Sequence, residues 1–347
     1  MTVPSKMRAA YLEAPYKLRV VETETPALRP QDLLLRVRAT GVCGSDLHTY
    51  RGMHPFRFPP VVLGHEVAGE IAAIGSEVTD FAVGDRIAVE PVEGCGTCGV
   101  CAAGHYHLCP EKRVPGVRGW VGSFADYFIV PEWCAYRLPA GLTDIEGSMV
   151  EPLAVGHHTV RRPGLDLAGR SVVVVGGGTI GLSVLACARL YGADPVIVVE
   201  PHAMNRSVAL RLGASHALDP AALDATARIQ EIVPGGVDFA VETAGARGTV
   251  DTAIRAVARR GTVVVVSLFE KPPGFEAANT LVTGEIALLG SSVYTRADYT
   301  AVIDALAARR LDPRPMVTHR LPLADAPRAL ALMDTRPEPC IKVILEP

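Results

Sequence analysis

Aromatic residues are scarce in this 347-residue chain: two Trp, nine Tyr and eight Phe make up 5% of it. Its interior must therefore be filled by aliphatic side chains, and with 49% apolar residues there are enough of them for a packed α/β core. Charge of one sign is lacking too. Thirty-four Lys and Arg stand against 37 Asp and Glu, for a net charge of −3 and a pI near 6.4, which leaves no basic footprint for nucleic acid or an anionic membrane. No stretch approaches the ~18 uninterrupted apolar residues of a membrane span. The opening MTVPSKMRAAYLEAPYKLRV lacks the apolar centre of a secretory signal, so a cytoplasmic location is expected. Thiols stay reduced there, and the eight cysteines are expected as metal ligands or catalytic groups rather than disulfides. A small molecule is the default partner.

The length suits about two domains. Up to about residue 150, short Val/Ile runs broken by Gly and Pro (LLLRVRATGVCG, VVLGHEVAGEIAAIG, VGDRIAVEPVEG) read as a mostly β, loop-rich domain. From Gly169 the texture changes to apolar strands alternating with helical patterns: SVVVVG, IGLSVLACARLYGA, PVIVVE, NRSVALRLGA, then VDFAVETAG, TVDTAIRAVARRG and TVVVVSL. That alternation predicts βαβ units and a doubly wound parallel sheet. Past residue 290, YTRADYTAVIDALAARR reads as an amphipathic helix and CIKVILEP as a strand returning to the first domain. There is no internal repeat and no low-complexity segment.

Within the second domain, four valines lead into Gly176-Gly177-Gly178-Thr179-Ile180-Gly181 and a helical pattern, which is GxGxxG between a strand and a helix. Gly176 permits the tight turn, Gly178 lets backbone N–H groups approach a pyrophosphate, and Gly181 lets helix pack on strand. Glu200 ends the next strand, 19 residues beyond Gly181, where a carboxylate accepts the ribose hydroxyls of NAD and repels the extra phosphate of NADP. NAD is favoured. His202, Asn205 and Arg206 follow closely, and Arg206 is either a cation turned toward that phosphate or a solvated residue at a helix start.

Cys95, Cys98, Cys101 and Cys109 form CxxCxxCx7C, with Gly94, Gly96, Gly99 and Gly104 supplying turns. Four thiolates in 15 residues can close a tetrahedral zinc cage with no open position, so this site is expected to be structural. The rival is an iron–sulfur cluster, since Pro110 follows Cys109; its last gap would be three residues, not seven, and no second cysteine set is present. A nucleic-acid-binding zinc ribbon is disfavoured because GCGTCGVCAAGHYHLC contains no Lys or Arg.

GVCGSDLH supplies Cys43, Ser45, Asp46 and His48, and LGHEVAG supplies His65 and Glu66. Cysteine and histidine with a third ligand and one open position would make a Lewis-acid zinc site. Here the sequence resembles the zinc-containing medium-chain dehydrogenases, which include alcohol, sorbitol, threonine and butanediol dehydrogenases. The resemblance spans nearly the whole chain and rests on GVCGSDLH, GHEVAGEIAAIGSEVTDFAVGDRI, the four-cysteine lobe, MVEPLAVG and VVVVGGGTIG in the family's order.

The resemblance implies a Rossmann NAD(P)-binding domain over 154–290, and a GroES-like catalytic domain over 1–153 with its zinc lobe at 94–110, completed by 291–347. It implies two zinc ions per chain. Cys43 and His65 would be catalytic zinc ligands, and Glu151 would be the third, standing where better-known alcohol dehydrogenases have a second cysteine. Glu66 would be able to exchange as a ligand. Asp46 would orient His65. A substrate hydroxyl at the open zinc position would become more acidic and pass hydride to nicotinamide. Ser45 would take the proton and relay it through the cofactor ribose to His48. A carboxylate at 151, with VVVVSLFEKP and ALLGSSVYTRADYTAVI, is more similar to the butanediol and sorbitol members, so a secondary diol, polyol or cyclic alcohol is the expected substrate. L-Threonine ranks lower, since threonine members typically lack an EPLAVG-like segment. A zinc-free NADPH quinone reductase or redox-sensing binding protein of the same fold is the alternative, against which the metal-ligand motifs argue. By the same resemblance, edges such as ALLGSSVY could pair subunits into a homodimer or homotetramer.

Overall fold

The computed structural model describes residues 3–347. The chain divides into two compact units: the first holds the N-terminal part to Glu151 with Thr295–Ala307 and Val317–Pro347, and the second holds Pro152–Tyr294 with Ala308–Met316. The short segment 308–316 thus clusters with the second unit, whereas the sequence pattern assigned everything past 290 to the first. Among the described residues no helix is long and apolar enough to cross a membrane.

The second unit carries six parallel strands in the order His216–Leu218, Val196–Val199, Val172–Val175, Val237–Glu242, Val257–Val265, Ala287–Gly290. Numbered along the chain this is 3-2-1-4-5-6, the Rossmann order, with its switch point between Val172–Val175 and Val237–Glu242. All four valines of the first strand are buried, which is why the run is continuous rather than alternating: a parallel sheet between helices is covered on both faces. Val173, Ile197, Val263, Ile254 and Ala253 belong to one aliphatic core, as the shortage of aromatics requires.

The first unit is built on a mostly antiparallel sheet. Its central strand Asp32–Gly41 pairs along one edge with Glu66–Ile74 and along the other with Tyr127–Pro131 and the returning Lys342–Glu346. Arg86–Val89 and Ala135–Arg137 extend the sheet beyond Glu66–Ile74, and Val317–Pro322 flanks the other side. A separate three-stranded sheet holds Lys17–Glu24, Lys6–Ala14 and Val61–Val62. The registers Gly41 with Glu66 and Gly41 with Ile344 bring three distant segments to one end of the central strand. Chemistry-bearing side chains gather there.

Candidate active site

Cys43 follows the central strand by two residues and precedes the short helix Gly44–Tyr50. The Cys43 N–H donates to Asp46 Oδ2 at 3.1 Å, and the Asp46 N–H donates to the Cys43 carbonyl at 3.1 Å, so the helix start is fixed by its own third residue. Glu66 opens the neighbouring strand and His65 immediately precedes it, 0% and 8% exposed. One donor atom each from Cys43, His65 and Glu66 lie within 4.8 Å of one another, a sulfur, nitrogen and oxygen set suited to zinc.

Asp46 is fully buried, and its Oδ1 accepts from Arg57 Nη1 at 2.9 Å and from the Gly64 N–H at 3.2 Å, with His65 Nδ1 at 3.5 Å. Burial alone would raise the Asp46 pKa, but His65, Arg57 and the Cys43 N–H together hold it well below the ordinary carboxylate range. For His65, burial opposes protonation; Asp46 and then Cys43 outweigh it and lift the imidazole well above 6.5.

Glu66 is gripped by Lys342, whose Nζ lies 2.8 and 2.7 Å from its two carboxylate oxygens and 3.1 Å from the Val42 carbonyl. Lys342 is 1% exposed; burial disfavours its charge, but Glu66 and Cys43 more than restore it. A Cβ at Gly41 would overlap Glu66 Oε2, so only glycine leaves room for the pair. Glu151 does not join the three-residue metal cluster. It lies 7% exposed in the first turn of Val150–Arg161, close enough that, after burial, it is the main influence raising the Tyr299 phenol pKa. Ser45 and His48 sit three residues apart on Gly44–Tyr50, hence on one side of that helix, and both are half-buried.

In the lobe, Cys95 Sγ lies 3.9 Å from Cys101 Sγ, and Cys98 Sγ 3.8 Å from Cys109 Sγ. Tetrahedral zinc–sulfur bonds of about 2.3 Å put thiolates ~3.8 Å apart, whereas an interposed iron–sulfur cluster would hold them farther away. Backbone N–H groups of Cys95, Cys98 and Cys101 donate to sulfurs of the same set. The Thr97 hydroxyl and N–H, with the Cys98 N–H, pull the Cys95 thiol below its ordinary value, while burial and the neighbouring cysteines push the Cys101 thiol up.

At the nucleotide turn Gly176 takes φ +107°, and a Cβ at Gly181 would overlap the Gly176 carbonyl. Gly178, Thr179 and Ile180 are the partly exposed residues where the helix Thr179–Leu190 begins. Glu200 is 5% exposed, accepting the Gly177 N–H at 2.7 Å and the His202 N–H at 2.8 Å. Asn205 donates to the Gly177 carbonyl at 2.9 Å, bracing the turn. Arg206 donates to the carbonyls of Glu200 and Pro201 at 2.9 and 2.7 Å and pairs with Asp219 at 3.0 Å.

Gly41, Arg57 and Lys342 escaped the sequence reading. An isolated Arg in HPFRFPP and a Lys in a returning strand look like solvated residues, and no local pattern announces a carboxylate waiting for either.

The chain matches the model of the alcohol dehydrogenase GroES-like domain over residues 29–140 and that of the zinc-binding dehydrogenases over 179–308. It is 32% identical to sorbitol dehydrogenase of Bacillus subtilis, covering 100% of this chain and 99% of that protein. It is 34% identical to 2-dehydro-3-deoxy-L-galactonate 5-dehydrogenase of Pseudoalteromonas atlantica, over 92% and 93% of the two chains. A putative zinc-binding dehydrogenase of Sinorhizobium meliloti, solved bound to NADP, superposes with a TM-score of 0.90 at 34% identity over 99% and 100% of the two chains. The chain therefore belongs to the zinc-containing medium-chain alcohol and polyol dehydrogenases. It is an NAD(P)-linked oxidoreductase of CH–OH groups, and the quinone-reductase alternative finds no support.

Proposed function

We propose that this enzyme oxidises a secondary hydroxyl of a diol, polyol or sugar acid to the ketone, using NAD in preference to NADP and one catalytic and one structural zinc per chain. The observation that supports the reading is the Cys43–His65–Glu66 cluster at one end of the central strand, three donors that would hold zinc with a fourth position for substrate. Its relatives named for sorbitol and for a deoxygalactonate supply the substrate class. Glu151, beside Tyr299, is the carboxylate available to complete or exchange within the set.

Zinc would act as a Lewis acid toward the substrate hydroxyl, and the nicotinamide would take the hydride. The chain's own residues do the rest. Asp46 fixes the Cys43 backbone and faces His65 Nδ1, leaving the other imidazole nitrogen for metal. Ser45 Oγ accepts the proton leaving the hydroxyl, and His48, one helical turn on, delivers it to solvent. The carbinol carbon thus loses a hydride and its oxygen a proton, giving ketone, NADH and H⁺.

The NAD preference rests on Glu200 and on the ties that hold Arg206 away from a phosphate-reading role. The outer strand Ala287–Gly290, with Leu288 41% exposed, is the edge through which two chains would pair into a homodimer or homotetramer. The test is a screen of diols, polyols and sugar acids with each nicotinamide, following reduced-cofactor absorbance, with metal counted per chain and mass by light scattering. Turnover of secondary alcohols with NAD is expected; strict NADP dependence, or reduction of quinones insensitive to chelators, overturns the reading.

A further inference from the structure

Arg57 is one of two buried cations at the metal cluster, and the proposed reaction gives it no role. Only 5% exposed, it gives Nη1 to Asp46 Oδ1 at 2.9 Å, the same oxygen that lies 3.5 Å from His65 Nδ1. Its own N–H donates to His54 Nδ1 at 3.0 Å, and the Phe56 N–H donates to the same nitrogen at 3.3 Å, so the turn carrying it is clamped from inside. Outside, Met53, Phe56 and Phe58 are 46%, 49% and 59% exposed. The guanidinium stem rests on Gly116, at φ +83°, where a Cβ would come within 2.9 Å of Arg57 Cδ. The side chain has one place to go.

Asp46 alone could rotate. With Oδ2 on the Cys43 N–H and Oδ1 held by Arg57 and the Gly64 N–H, it cannot turn without breaking three bonds, one of them charge-assisted. We propose that Arg57 is a positioning residue of the catalytic metal centre: by immobilising Asp46 it sets the spacing of Cys43 and His65, and so the affinity of the site for zinc. This rests on the reading of Cys43 and His65 as catalytic zinc ligands. A purely electrostatic effect would run the other way, because a nearby cation repels a dication.

The test compares purified full-length wild type, R57M and R57K by competition with a fluorescent zinc chelator, the four-cysteine lobe serving as internal reference. R57M is expected to weaken the catalytic zinc 10- to 100-fold, the range for loss of a partner one layer out from the metal, with part restored by R57K and the lobe zinc unchanged. Cobalt in the catalytic site of R57M should show a displaced d–d band. F58A, altering the outer side of the same turn, should leave both affinities alone. Unchanged or tighter catalytic zinc in R57M overturns the proposal, as does parallel weakening of both sites with a falling Tm. Should R57M not fold, R57Q takes its place, and equal affinities for R57Q, R57K and wild type overturn it equally. A wild type holding one zinc that survives C43A would instead refute the underlying metal assignment.

Discussion

Gly41→Ala adds one methyl at the crowded end of the central strand. Gly41 lies outside the left-handed region, so alanine meets no backbone penalty and its effect is the collision alone. The new Cβ would overlap Glu66 Oε2 and stand 3.1 and 3.2 Å from Glu66 Cδ and Cβ. Glu66 cannot retreat cheaply: its oxygens lie 2.8 and 2.7 Å from Lys342 Nζ, and its backbone is registered opposite Gly41 itself. Relief therefore means pulling the carboxylate off a buried ammonium. Stranding one member of a buried ion pair costs roughly 3–5 kcal/mol, and because Glu66 is displaced rather than removed we take the low end, about 3 kcal/mol. For a folded unit of 150–250 residues that corresponds to a Tm lower by about 6–12 °C. Calorimetry of the zinc-saturated protein reads the first unit's transition. Gly41→Ala, Glu66→Ala and the double variant complete a cycle in which the alanine at 66 removes the collision, so the two losses should fall short of additive by about 1 kcal/mol or more. A Gly41→Ala melting curve superimposable on the wild type's, or strict additivity, would refute the reasoning.

Cys98→Ala should lower zinc from two ions per chain to one by elemental analysis, leaving the Cys43 set loaded. Glu200→Ala should lower kcat/KM for NAD by about 10- to 100-fold through loss of charge-assisted bonds to the ribose, and Asp219→Asn added to it, by freeing Arg206, should raise kcat/KM for NADP. His54 is pulled down to about 4, first by burial and then by Arg57, and its Nδ1 already accepts two backbone N–H groups. Its folded pKa lies below the unfolded value of about 6.5, so the unfolded chain binds the extra proton first. Stability should therefore fall as pH drops from about 6.5 to about 4, by up to ~3 kcal/mol, and urea titrations of His54→Gln should lack that slope.

What was legible in the sequence had a local cause. Valines 172–175 are unbroken because both sheet faces are covered, Gly176 takes the positive φ its turn needs, and Gly181 packs against the Gly176 carbonyl five residues back. The lobe cysteines were readable for the same reason, since chelation by close neighbours fixes their spacing. Lys342 was not readable. Its partner is 276 residues away, and the only local trace of the pair is the glycine at 41, one of many in the chain. Arg57 was hidden by convention, because a lone cation between phenylalanines reads as surface until the carboxylate beneath it is known. The metal set was read as Cys43, His65 and Glu151, with Glu66 exchanging; strand register carries Glu66 opposite Gly41 and beside Cys43 and His65, whereas Glu151 belongs to a helix and stands outside that cluster.

The grip of Lys342 on Glu66 also bears on how the chain matures. The whole second unit, its short return included, lies between these two residues in sequence, so on the ribosome Glu66 is made long before the ammonium that makes its burial tolerable. Until strand 342–346 docks, the end of the central strand must stay open to water or hold its carboxylate with borrowed protons. A chain stalled before residue 342 therefore has both zinc-ligand motifs yet lacks the cation that neutralises the carboxylate in one of them.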